Sequence, residues 1–122
     1  MYGNSKSSSR FNAGMLRHLI TIEAPAYTQD EYGAAIVAWS TAFTLLALVD
    51  PIEGSEIEYA NSFEGIASHV VVIRYSSEIS PSPAHRVNFD GLILSINSIL
   101  NVDESNQWLV LACVQDVADT PS

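Results

Sequence analysis

The sequence predicts a mainly β fold, a small antiparallel β-barrel of about six strands with one short helix inserted between strands two and three. Three observations carry this. Most apolar stretches alternate with period two and are rich in Val, Ile, Thr and aromatic residues, as half-buried strands require. Asp90-Gly91 stands between two apolar runs, and such a pair supplies the positive φ values that a tight hairpin turn needs. In the run from Trp108 to Val114 both alternating sets are apolar, Trp108, Val110, Ala112 and Val114 against Leu109, Leu111 and Cys113. A strand of that kind lies in the middle of a structure.

Residues 1–14 are rich in Ser, Asn and Gly and read as a flexible N-terminal arm. The single barrel domain spans 15–117 and a polar tail 118–122. From Met15 to Ala24, His18, Ile20 and Ile22 alternate with Leu19, Thr21 and Glu23, a first strand that Pro25 is expected to end. Residues 26–35 form the connection of a long hairpin. The second strand runs from Ala35 to Val49, bulged near residues 40–42 and stopped by Asp50-Pro51.

The next segment changes character. Ser55 with Glu58 three residues on makes a capping box, Glu56 and Glu58 suit the positive end of a helix, and Gly65 suits its close. A helix over 56–64 follows, with an apolar stripe of Ile57, Tyr59, Ala60 and Phe63 beside Glu56 and Glu64. Nine residues are too few to be stable without packing partners, so this helix is expected to cover a barrel end or meet another subunit. Residues 68–75 return to strand, 76–83 cross over on two prolines, and 86–115 form a three-stranded meander.

At 122 residues the chain is one domain, large enough to bury about two-thirds of its unfolded surface. Its apolar runs fall short of the roughly 20 residues that cross a bilayer. The first ten residues lack the apolar core of a secretory signal, which predicts synthesis and use in a cytosol and no membrane partner. The lone Cys113, inside an apolar strand, reads as a small buried hydrophobe.

Charge has functional content. The net charge is −9, unevenly spread: Lys6, Arg10 and Arg17 lie in the first 17 residues, which hold no acid. The rest carries 14 acids against Arg74 and Arg86, a net of −12. Such a body repels phosphate, which excludes specific DNA or RNA binding as the main activity. It suits solubility, or a surface that stays beside nucleic acid without adhering to it.

Chemistry is scarce. His18, His69 and His85 show no metal-ligand spacing to each other or to Cys113. No Gly-rich phosphate loop and no nucleophile elbow occur. Asp30-Glu31 and Asp103-Glu104 sit in turn-like polar stretches, the ordinary place for solvated acids. No catalytic residue, metal or cofactor is expected, and an enzyme would have to show a pocket of converging ionisable groups.

Taken in order, Ala13-Gly14-Met-Leu-Arg17-His18-Leu-Ile-Thr-Ile22, Trp39, Gly54-Ser-Glu56, His69-Val-Val-Val-Ile-Arg74-Tyr75, Arg86, Asp90-Gly91 and Asn101-Val-Asp-Glu-Ser-Asn106 resemble the tailed-phage head–tail joining family. Its members are also called head-completion, head-closure or stopper proteins. The resemblance covers about residues 13–116. The chain departs from it at Leu19, where a second basic residue is common, and at Ser55, where an Arg is usual, so a basic contact at either place is not implied.

The resemblance implies a β-barrel subunit in a homo-oligomeric ring, typically of twelve copies, below the portal and adaptor rings of a virion. That ring closes the DNA channel after packaging and presents the tail docking surface. The DNA passes without specific binding, and the partners are adaptor, portal and tail proteins. On this expectation Ile52, Glu53, Glu56, Ile57, Tyr59, Ala60, Phe63 and Glu64 form a ring or lumen interface, and Lys6, Arg10 and Arg17 contact the ring above. A tail-completion or tail-terminator ring is the alternative.

Overall fold

Val70-Val-Val-Ile73 are four β-branched residues in a row and all are fully buried, which only a strand covered on both faces allows. That strand is the centre of the computed structural model, which describes residues 12–53, 66–102 and 107–116. A 3-10 turn at Ala13–Met15 precedes six strands: β1 (His18–Gln29), β2 (Ala35–Pro51), β3 (His69–Arg74), β4 (Arg86–Phe89), β5 (Leu92–Asn101) and β6 (Trp108–Gln115). Every pairing is antiparallel, and the order β1-β2-β3-β6-β5-β4 closes into a barrel when β4 pairs with Thr21, Ile22 and Glu23 of β1. Asp90 (φ 55°) and Gly91 (φ 92°) make the β4–β5 turn in the left-handed region, as the dipeptide predicts.

Two clusters share β3 and β6. Inside the barrel, Ile20, Ile22, Val71, Ile73, Leu94 and Leu111 pack with Cys113. On the outer wall, Val70, Val72, Trp108 and Val110 are covered by Leu16, Ile52 and Val102, with Met15 and Ala67 against them. The even and odd residues of the final strand thus feed different clusters, and each buried Val, Leu or Ile is worth about 1.5–3 kcal/mol of transfer free energy. The 76–83 connection does more than cross over: Ile79 packs on the inner cluster and Ser76 bridges back to it in sequence.

The structure corrects several boundaries. Met15 belongs to the 3-10 turn, and Pro25 does not end β1 but stands within it opposite Trp39. β4 pairing stops at Glu23, so among the described residues β1 has no partner on that edge beyond it, and a residue lacking an N–H is tolerated there. The hairpin connection shrinks to residues 30–34, and β2 continues through Asp50 and Pro51, which pair with Val70 and His69. The expected bulge is present: Ile22 faces Phe43 and Glu23 faces Thr41, leaving Ala42 as the extra residue. A second bulge leaves Asn97 extra in β5. The helix expected over 56–64 lies outside the described residues, and the helical element among those described is the 3-10 turn.

Candidate functional site

β1 and β2 are far longer than the barrel they help to build, and the excess forms a two-stranded ribbon. Beyond Glu23, β1 pairs only with β2, and before Leu48, β2 pairs only with β1 among the described residues. On one ribbon face Tyr27 lies opposite Val37 and Pro25 opposite Trp39; on the other Thr28 lies opposite Ile36 and Ala26 opposite Ala38. Residues 32–49 contain no charged side chain, nor do residues 24–29. Tyr27 is 75 % exposed, Ile36 and Val37 are exposed, and Tyr32 at the tip is 87 % exposed. An uncharged apolar ribbon with two open edges is what soluble proteins ordinarily blunt with lysines or cover.

Both ends of the ribbon are fixed. At the tip, Asp30 Oδ1 accepts hydrogen bonds from the Tyr32 and Ala34 amides at 2.8 and 2.9 Å, and Gly33 takes φ 86°. At the base, Arg86 Nε donates to Glu23 Oε1 at 2.7 Å while its guanidinium covers the Trp39 ring at 4.1 Å. Asn88 Nδ2 donates to the second Glu23 oxygen at 3.3 Å. Cation, carboxylate and ring together tie the ribbon to β4 where the backbone pairing ends.

A second apolar surface lies at the other end of the same strands. Leu19 and Leu46 pair directly and point outward, 62 % and 51 % exposed. Beside them Met15, Arg17, His18, Leu48, Val49 and Asp50 line an open recess of about 260 Å³. Arg17 is exposed and donates through Nε to the Gly14 carbonyl at 3.3 Å.

The expected interface residues divide. Ile52 is 6 % exposed and buried in the outer cluster, whereas Glu53 beside it is exposed. Glu56, Ile57, Tyr59, Ala60, Phe63, Glu64, Lys6 and Arg10 lie outside the described residues. The inserted segment nevertheless has a defined base, because the Ile52 amide donates to the Ser68 carbonyl at 2.9 Å and Asn97 Nδ2 donates to the Ile66 carbonyl at 3.3 Å. Ile52 and Ala67, on either side of it, pack on the outer wall of β3 and β6. The bulge at Asn97 is what turns that amide outward. The ribbon was missed by the sequence reading, and its signal is the charge-free stretch from 32 to 49.

Among the described residues no three His, Cys, Asp or Glu side chains converge as metal ligands would. Burial lowers His69 below its ordinary range, with Asp50 opposing, and His69 Nδ1 lies 3.0 Å from Ser68 Oγ. Burial pushes the Cys113 thiol up to about 12. No described helix is long and apolar enough to cross a membrane.

The geometry is therefore that of a filled barrel with its unusual features on the outside, and the likenesses agree. No curated protein matches the chain. Among solved structures it is similar to protein SF1141 from Shigella flexneri 2a, in solution, at TM-score 0.65 and 25 % identity over 89 % of this chain and 100 % of that one. It also shares its fold with a chain of the virion of a native gene transfer agent particle, at TM-score 0.60 and 20 % identity over 84 % and 97 %. The model of the phage head completion protein family matches residues 11–116, which take in the whole barrel. The chain thus belongs to the phage head completion protein family and is a structural component of the virion.

Proposed function

We propose that copies of this chain assemble into a ring, typically of twelve, below the portal and adaptor rings, where the ring closes the DNA channel and receives the tail. The observation that carries this reading is the placement of the uncharged apolar surfaces: the described barrel interior is an apolar cluster, and the ribbon and the Leu19–Leu46 face are exposed. A protein that works on a substrate needs a pocket of convergent polar groups. One that works by fitting among copies needs outward apolar surfaces. The chain acts without chemistry, as a fitted part.

On this reading the inserted segment, from Ile52 and Glu53 through Glu56, Ile57, Tyr59, Ala60, Phe63 and Glu64, makes ring contacts or narrows the lumen. Lys6, Arg10 and Arg17 face the ring above. The acidic body lets the duplex slide past without adhering.

Particles produced without the protein test the reading. Heads that package DNA and then leak, beside complete unattached tails, are the expected result. Filled heads with defective tails would instead place the chain among tail-completion rings. Replacing Ile57 and Phe63 with Asp should leave a folded monomer unable to complete heads, and normal tailed particles from that variant would reject the ring contact.

A further inference from the structure

We propose that the β1–β2 ribbon of one copy lies across the Leu19–Leu46 face of the next copy, with its acidic tip at Asp30 and Glu31 against Arg17. The inference deepens the ring reading and rests on it for the claim that the contacts close on themselves.

Three observations lead to this occupant. The first is the ribbon itself: a lone two-stranded hairpin is at best marginally stable in water, and this one offers neither charge nor lysine along its edges. It is built to be covered. The second is charge. The chain carries −9 and its body from residue 18 onward −12, so copies repel one another and meet on surfaces that hold no acid or that set acid against a cation. The ribbon faces and the Leu19–Leu46 pair are such surfaces, and Arg17 at the edge of the recess offers the opposite sign to the ribbon tip. Asp50 shares that recess, but it sits on β2 toward β3, where it also acts on His69.

The third is geometry. β1 has 12 residues from His18 at the recess to Gln29 at the tip, so the recess and the ribbon tip of one copy are roughly 35 Å apart at strand rise. They cannot meet within a chain. A contact between two different patches of identical chains is heterologous, and its repetition generates a ring when the rotation closes. On this inference Arg17 turns to the neighbouring copy, and of the three basic residues assigned to the ring above, Lys6 and Arg10 remain.

Cross-linking in whole particles tests it. Tyr32 is exposed, and so is Asn12, in the turn whose Gly14 carbonyl accepts from Arg17, so Tyr32→Cys and Asn12→Cys leave the core and Arg17 intact, and Cys113 is fully buried. Phage carrying the double variant are purified and treated with a short bis-maleimide. The expected result is a ladder of covalent multiples of the chain under denaturing conditions, absent from either single variant. Particles that contain the protein but yield only monomer would overturn the contact and leave the virion reading standing. Dimers from a single variant would also overturn it, because like patches would then be meeting. Absence of the parental chain from particles would overturn the ring reading itself.

Discussion

Cys113 and His69 face each other across β3 and β6, and burial acts on both in opposite directions. The thiol, pushed up to about 12 from an ordinary 9.0, holds about 1000-fold less thiolate at neutral pH than a free cysteine. Alkylation of the native protein should therefore be slower than that of the urea-unfolded chain by at least that factor. Equal rates, read by mass shift over time, would mean that β6 opens readily. His69 is lowered by burial, with Asp50 partly offsetting this. The folded imidazole takes its proton at lower pH than the unfolded one, so between the two values the unfolded chain binds more protons. The stability this group contributes is present above about 6.5 and is lost as pH falls below it. Urea midpoints measured from about pH 7.5 down to about pH 5 should fall more steeply for the parent than for His69→Gln.

At the scale of elements, the meander was legible and the ribbon was not. Asp90-Gly91 and the doubly apolar run at 108–114 are local signals that mark the turn and the buried strand directly. Pro25 misled because a proline ends a strand only where its missing N–H faces a partner, and here the neighbour, β4, has already stopped at Glu23. Asn97 was silent for a related reason: nothing in Ser95-Ile-Asn-Ser98 marks which residue the bulge expels. The ribbon base is likewise a meeting of Glu23, Trp39, Arg86 and Asn88, distant in sequence and joined only by register. Arg86→Ala should cost about 1–3 kcal/mol, since it leaves a half-buried carboxylate without its cation. Its particular signature is local. Amides of Ala24 and residues 26–29 should exchange faster by more than the global loss explains, while those of β3 and β6 change only by the global amount. A uniform change across all strands would show that the Glu23–Arg86 pair does not anchor the ribbon.

For the whole molecule, the decisive quantity is the separation of charge from contact surface. Fourteen acids are spread through the body, yet none falls within residues 32–49 and none in the first 17. Acid is thus kept off the ribbon faces between its Glu23 base and its Asp30–Glu31 tip, off Leu19 and Leu46, and off the basic N-terminal stretch. One consequence concerns DNA. Non-specific affinity for duplex arises from phosphates neutralised by Lys and Arg, and falls steeply with salt in proportion to their number. Here the five cations are outnumbered, and the three among the described residues have intramolecular roles, Arg86 on Glu23 and Trp39, Arg74 over the Trp108 ring at 5.0 Å, and Arg17 on the Gly14 carbonyl. Titration into labelled duplex at about 50 mM salt should show no binding up to roughly 0.1 mM protein, a range in which proteins with ordinary non-specific affinity bind. Binding that weakens with added salt would mean that the exposed cations outweigh the acidic body. On the proposed ring, a wall that bound duplex in this way would grip any DNA passing it.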